Sequence, residues 1–387
     1  MAKIAFFGVP AYGHTSPTLL VINELIKRGH TVYYYSFNSF KTHIEDTNAQ
    51  FISCDQYTDS RIFDNQNNST AEGLLETLLD YAITLTDALF PDVNQKSPDI
   101  IVADSLAIWG KLLAIKLNIP FVSSNSTLAI NPVLLKQSAN LGFKQICKLL
   151  WLYPCFQRKL KKLQSYGFPG KSLKDLLLTD PQTETLIYTS KQFQPFAETF
   201  NSHLHFVGPM IRQVKNTIKI NMHPLIYVSL GTIHNQMMKF YKNCLQALGD
   251  KNYTVIMSVG TSTNIQELGK IPRNITIYQQ VDQISVLQQA NVFITHAGLN
   301  SVSEGLYHEV PLLLYPQTSE QRVIAERVET LGAGQLMKSD SAKEIATKVS
   351  ILLKDLNFKK AAQDVSAHFK KTGGAAFAAD IILNCLK

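Results

Sequence analysis

The chain has 387 residues, more than a single domain usually holds, so two domains are the first expectation. Hydrophobic residues make up 45%, enough for ordinary cores, yet no apolar run approaches the roughly 20 residues that span a bilayer. A net charge of +7 with only 17% charged residues is mildly basic, and most of a possible patch falls in residues 144–174.

The five cysteines, Cys54, Cys147, Cys155, Cys244 and Cys385, are odd in number and lack paired metal-ligand spacing, which fits free thiols in a reducing cytoplasm. Residues 4–9 are apolar but short, carry Lys3 as their only flanking charge and lead into Tyr12-Gly13-His14, so they read as a first strand and not as a secretion signal.

Strand-sized apolar runs at 4–7, 31–37, 51–54, 100–103 and 121–124 alternate with helical patterns such as 17–27 and 106–117. That alternation predicts a parallel, doubly wound α/β domain over residues 1–207. The turn after its first strand, from Gly8 to Pro17, lacks the G-x-G-x-x-G spacing of a dinucleotide site, and no Walker lysine follows, which removes most support for a nicotinamide or ATP reading. It does place His14 at a strand's carboxyl end, before a helix predicted to start at Pro17, where an imidazole can act as a general base. Asp104 follows the strand at 100–103 and therefore also sits at a carboxyl end, able to hold one imidazole nitrogen. Each could instead be a simple cap.

Residues 144–174 interleave Lys148, Arg158, Lys159, Lys161, Lys162 and Lys171 with Trp151, Tyr153 and Phe156. Such a segment could rest on an anionic membrane or bind nucleic acid. Pro154 is expected to interrupt it, which favours a solvated helical hairpin over either contact. The segment 208–222, opening on Gly-Pro and poor in large apolar residues, reads as an interdomain linker.

A second βα series follows over 223–371, with strands at 225–230, 254–259, 274–278, 292–295 and 312–315 and helices near 236–249, 283–290, 300–308 and 319–331. Two such domains, facing each other, would enclose a cleft at the carboxyl ends of their strands. Residues 372–387 carry apolar residues at helical spacing and form a closing helix, expected to pack back on the N-terminal domain.

The second series holds a phosphate cradle. Ser229, Gly231 and Thr232 end its first strand with small or hydroxyl side chains, letting a diphosphate approach the backbone. His296, Gly298, Asn300 and Ser301 open a helix whose first turn directs N–H groups and the positive dipole end outward. Glu304, about one turn on, can accept two hydrogen bonds from the vicinal hydroxyls of a ribose. Glu320 and Gln321 offer acceptors and donors suited to sugar hydroxyls, and the backbone of Val281 lies where it could pair with a base edge. Singly each has a bland reading as a cap or surface group; together their order is hard to obtain by chance.

With these residues, 225–334 resembles the donor-binding half of the family 1 glycosyltransferases, and the turn from Gly8 to Pro17 is similar to that family's acceptor half. The closest resemblance is to the bacterial macrolide glycosyltransferase group. It implies the two-domain GT-B fold, His14 as base and Asp104 as its orienting carboxylate. It further implies phosphate contacts from Ser229, Thr232, His296, Asn300 and Ser301, a ribose contact from Glu304, and sugar contacts from Glu320 and Gln321. The implied reaction is inverting transfer of a hexose, glucose by the lean that Gln321 gives, from a UDP-sugar to a hydroxyl of a small aromatic or polyketide acceptor. No resident cofactor or metal is expected, since the chain has no Asp-x-Asp. A cytoplasmic monomer is expected. Two departures stand out: Leu299 replaces a tryptophan of plant members, and no aromatic near Val281 stacks on the base. A membrane-lipid acceptor, an epimerase and a non-catalytic partner protein are the alternatives, the last opposed by the intact His14, Asp104 and donor set.

Overall fold

The computed structural model describes residues 1–58, 71–138, 143–172, 174–214, 224–231 and 236–386. Thr232 and most of the predicted linker lie outside them. The chain divides into two units: Met1–Met210 with Thr372–Lys387, and Ile211–Lys371.

The first unit runs β1 (Lys3–Phe7), α1 (Tyr12–Lys27), β2 (Thr31–Ser36), α2 (Lys41–Glu45), β3 (Gln50–Ser53), α3 (Ala71–Lys96), β4 (Ile100–Asp104), α4 (Ile108–Leu117), β5 (Phe121–Asn125), α5 (Pro132–Ser138), α6 (Phe143–Ser165), α7 (Lys174–Leu177), β6 (Glu184–Ile187) and β7 (Leu204–Phe206). Its strands form one parallel sheet in the order β3-β2-β1-β4-β5-β6-β7. Side-chain alternation divides the core between the two faces. Ile4, Phe6, Val32, Tyr34, Ile100 and Val102 pack with Val21, Ile22 and Leu25 of α1. Ala5, Phe7, Tyr35, Ile101 and Ala103 pack on the other face with Tyr81, Leu85, Trp109 and Leu113 of α3 and α4.

The second unit runs β8 (Leu225–Ser229), α8 (Met238–Leu248), β9 (Thr254–Ser258), β10 (Ile275–Tyr278), α9 (Gln283–Leu287), β11 (Val292–Thr295), α10 (Leu299–Tyr307), β12 (Leu312–Leu314), α11 (Ser319–Thr330), β13 (Gly334–Leu336), α12 (Ala342–Lys354) and α13 (Leu356–Lys370). Its sheet is also parallel, ordered β10-β9-β8-β11-β12-β13. Ile226, Val228, Val255, Met257, Val292 and Ile294 pack with Phe240, Leu245 and Leu248 of α8 and Ile345 and Val349 of α12. The closing helix α14 (Gly374–Asn384) belongs to the first unit, where Ala378, Ala379, Ile381 and Ile382 join the face covered by α1. Arg28 donates to Asp380 at 2.5 Å across that contact.

Each sheet has a switch point where strand order reverses: between β1 and β4 in the first, between β8 and β11 in the second. The reversal sends neighbouring crossovers to opposite faces, so the carboxyl ends of those strands are left uncovered for a ligand. His14 and Asp104 follow or end the first pair; Gly231 and His296 follow the second.

Three expectations are corrected. Helix α1 begins at Tyr12 and not at Pro17, because His14 and Thr15 both donate their N–H to the Ala11 carbonyl and start the turn upstream. Pro17 lies inside the helix and cannot donate to the Gly13 carbonyl, yet α1 continues through it to Lys27. Pro154 does not interrupt the basic aromatic segment; α6 runs through it, held by Phe156, Leu160 and Leu163 against Leu79, Ala82 and Leu112. Lys159 on that helix is paired with Asp80 at 2.8 Å and Glu76 at 3.5 Å. Finally, the sheets gain β6, β7 and β13, which have only three or four residues and hold their place by pairing at or near a sheet edge, and not by an apolar run of their own. Among the described residues no helix is long and apolar enough to cross a membrane.

Candidate active site

In the first unit, strand β4 is buried along its whole length and ends in Asp104, which is itself only 4% exposed. A carboxyl group taken from water needs donors, and three converge on it. The Leu106 N–H meets Oδ1 at 2.9 Å, while His14 Nδ1 lies 2.8 Å and Ser126 Oγ 3.2 Å from Oδ2. The ring of His14 is partly exposed, at 17%, against 2% for the Asp104 side chain. A carboxylate can only accept, so the shared proton sits on Nδ1. Tyr12, at the start of α1, leaves nearly half its surface open and meets His43 edge-on.

Behind the dyad is a layer of buried hydroxyls. Tyr34 and Thr18 share a hydrogen bond of 3.0 Å, and Ser124 and Tyr188 one of 2.7 Å. Both phenols lie within electrostatic reach of Asp104, and burial pushes both well above the usual tyrosine range, so they stay neutral there.

In the second unit, β11 leads into His296, Ala297 and Gly298. Ala297 adopts φ 68°, the left-handed region that alanine seldom occupies, and is fully buried. The His296 ring lies beside two glycines. A Cβ at Gly231 would stand 2.5 Å from its Cε1, and one at Gly298 would stand 2.6 Å from its Nε2. Neither position tolerates a side chain while the imidazole keeps its place, and Gly231 also needs its φ of 77°. Helix α10 starts on Gly298 with no side-chain cap and no acidic residue in its first turn, whereas Asp282, Thr318, Ser341 and Asp355 cap α9, α11, α12 and α13 with their side chains. Ser229 is buried, its hydroxyl accepting from the Gly231 N–H at 3.4 Å, so it shapes this turn.

Glu304, on α10, is recessed. Burial pushes its carboxyl up to about 7, against the opposing pull of a hydrogen bond from Gln283 Nε2 at 2.5 Å. Gln283 also reaches Ser301 Oγ at 3.5 Å and accepts from Tyr227 OH at 3.2 Å. Val281 lies between β10 and α9, next to Asp282, which receives Arg212 in an ion pair and caps α9. Glu320 and Gln321 sit in the first turn of α11. Gln321 Oε1 accepts from the Gln317 N–H at 2.8 Å, so its amide NH₂ is the end left to donate.

The structure thus brings His14 and Asp104 together, and groups Ser229, Gly231, His296, Gly298, Asn300, Ser301 and Glu304 at the carboxyl ends of β8 and β11 and on α10. Sequence reading missed Ser126 and Gln283. Nothing in spacing ties a serine 22 positions after Asp104, or a glutamine 21 before Glu304, to those carboxyls. Only the pairing of β4 with β5, and of α9 with α10, does so.

Residues 201–372 match the family model described as UDP-glucoronosyl and UDP-glucosyl transferase. The chain is 34% identical to the NDP-glycosyltransferase YjiC of Bacillus licheniformis, over 98% of this chain and 96% of that one. It is 27% identical to the oleandomycin glycosyltransferase of Streptomyces antibioticus, over 98% of this chain and 90% of that one. Among solved structures, the kitacinnamycin glycosyltransferase matches with a TM-score of 0.86 at 25% identity, covering 100% of this chain and 99% of that one. The two Rossmann-like parallel-sheet domains are those of the GT-B fold.

The fit of His296 against Gly231 gives a direct test. Gly231→Ala combines a left-handed backbone with the close approach to the ring, and is expected to cost about 1–2 kcal/mol. That would lower the melting temperature by a few degrees and move the His296 imidazole resonances. An unchanged melting temperature with unchanged resonances would show that the glycine is not required there.

Proposed function

We propose, because this chain belongs to the family of UDP-glucoronosyl and UDP-glucosyl transferases, family 1 of the glycosyltransferases, that it moves a hexose from a UDP-sugar to a hydroxyl of a small aromatic or polyketide acceptor with inversion. Glucose is the favoured sugar, on the strength of Gln321. The observation that carries the mechanism is the 2.8 Å contact between His14 Nδ1 and the buried Asp104 carboxyl at a sheet switch point.

The acceptor O–H gives its proton to His14 Nε2 as its oxygen attacks the anomeric carbon. The new C–O bond forms on the face opposite the departing diphosphate, which leaves with the bonding electron pair. No protein nucleophile takes part. Asp104 holds the ring and balances the imidazolium that results. Charge on the leaving diphosphate is met by the uncapped start of α10, by His296, and by Asn300, Ser301 and Thr232, without a metal. Donors of this kind can each supply about 3 kcal/mol. Glu304 accepts from the ribose hydroxyls, Glu320 and Gln321 meet the hexose, and the Val281 backbone meets the base. A cytoplasmic setting fits the free thiols Cys54, Cys155, Cys244 and Cys385.

General-base catalysis typically contributes roughly 10²- to 10⁴-fold, so His14→Ala should lower kcat by about that factor while donor affinity stays within about twofold. The check is steady-state kinetics with UDP-glucose and a phenol that is un-ionised at the assay pH. Near-normal turnover would mean that His14 is not the base.

Glu304 sets a pH dependence. The ionised form accepts from ribose hydroxyls more strongly and at both oxygens, and with the carboxyl near 7 a large share is protonated in neutral solution before the donor arrives. Donor binding should therefore release a proton, and affinity should rise as pH increases through about 7 and level off above it. Calorimetry in buffers of different ionisation enthalpy reads the proton directly. No proton release, or affinity that falls across that range, would remove Glu304 from the ribose site.

A further inference from the structure

Ser126 is buried, at 4% exposure, just beyond the end of β5. Its hydroxyl has two acceptors at nearly equal range: Asp104 Oδ2 at 3.2 Å and the main-chain carbonyl of His14 at 3.3 Å. Oδ2 is the same oxygen that holds His14 Nδ1. One proton is therefore shared between the side chain of one partner of the dyad and the backbone of the other. The turn that presents Ser126 is itself fixed. Asn125 Oδ1 accepts from the Thr127 N–H and the Thr127 hydroxyl, both at 3.1 Å, and lies 3.4 Å from Ser105 Oγ. Because β5 pairs with β4 and places Ser124 opposite Asp104, Ser126 is aimed from a rigid support.

We infer that Ser126 is a positioning residue for the transfer reaction, one that fixes the first turn of α1 to the Asp104 carboxylate and moderates how strongly that carboxylate holds the His14 imidazolium. This rests on His14 being the base. Without Ser126, Oδ2 would lose a donor, the remaining charge would be concentrated on His14, and the imidazolium would be stabilised. The base would then be protonated up to a higher pH, and the first turn of α1 would lose a tie between its backbone and the carboxylate. Among the described residues, Tyr34 and Tyr188 lie in electrostatic reach of Asp104, and both are neutral over the working range, so neither masks the change.

The test compares Ser126→Ala and Ser126→Thr with the wild type and His14→Ala by two readouts. One is the pH profile of kcat/KM for the acceptor together with the donor KM. The other is an NMR titration of the ¹³C-labelled His14 imidazole, which does not depend on activity. Ser126→Ala should lower kcat by roughly tenfold, the scale of one hydrogen bond to a charged group. It should also raise the midpoint of both the His14 titration and the acidic limb, with donor KM unchanged. Ser126→Thr, which keeps the hydroxyl, should restore both. If the His14 midpoint in Ser126→Ala coincides with that of the wild type, the inference is overturned even where His14→Ala abolishes turnover. A raised donor KM with an unmoved midpoint would make Ser126 a ligand contact instead. If His14→Ala retains full activity, the base assignment fails by itself, and the catalytic role of Ser126 fails with it, whatever the titration shows.

Discussion

Burying a carboxyl group at the end of a fully covered strand is the constraint around which the first unit is arranged. Asp104 closes β4 and is only 4% exposed, so few of its hydrogen bonds can come from water. The protein must supply them, and the donors it uses come from three elements: the Leu106 N–H after β4, the His14 imidazole on α1 and the Ser126 hydroxyl after β5. Satisfying the carboxylate thus fixes the orientation of an imidazole whose ring is partly exposed. Structural need and the proposed chemical use coincide, since removing any one donor would leave a buried acceptor short.

The second unit solves a different problem with the same topology. There the ligand is expected to be an anion, and the groups gathered at the switch point are donors with little side chain in the way. Gly231 and Gly298 leave room for the His296 ring, and Ala297 accepts a left-handed backbone to bring α10 to its start. The helix begins on a glycine that offers no cap of its own. Glu304 is the exception, an acid set into this donor-rich region with its carboxyl pushed up by burial and held by Gln283. Such a group favours whatever ligand can donate two hydrogen bonds to it.

The doubly wound fold was legible because its strands are apolar on both faces and β-branched, as in residues 100–103 or 292–295, with helical spacing between them. His14, Asp104 and the cluster from His296 to Glu304 were legible because each lies at the end of such a strand or one helical turn beyond it. What escaped is set by tertiary contact. The start of α1 depends on two N–H groups finding the Ala11 carbonyl, which a proline at position 17 conceals in the sequence. Helix α6 continues past Pro154 because its apolar stripe has α3 to pack on. Strands β6, β7 and β13 exist only because a neighbouring strand offers hydrogen bonds. Ser126 and Gln283 act on residues far away in the chain, through sheet pairing and helix packing that no periodicity announces.

Direct displacement with His14 as base, the reaction proposed, would leave its mark on the product itself. Proton NMR of the glycoside formed from UDP-glucose, in which the anomeric bond is α, should show only the β configuration, because a single in-line attack inverts that carbon. A product that keeps the α configuration would contradict the account, since retention requires either a covalent intermediate or attack from the face of the departing diphosphate.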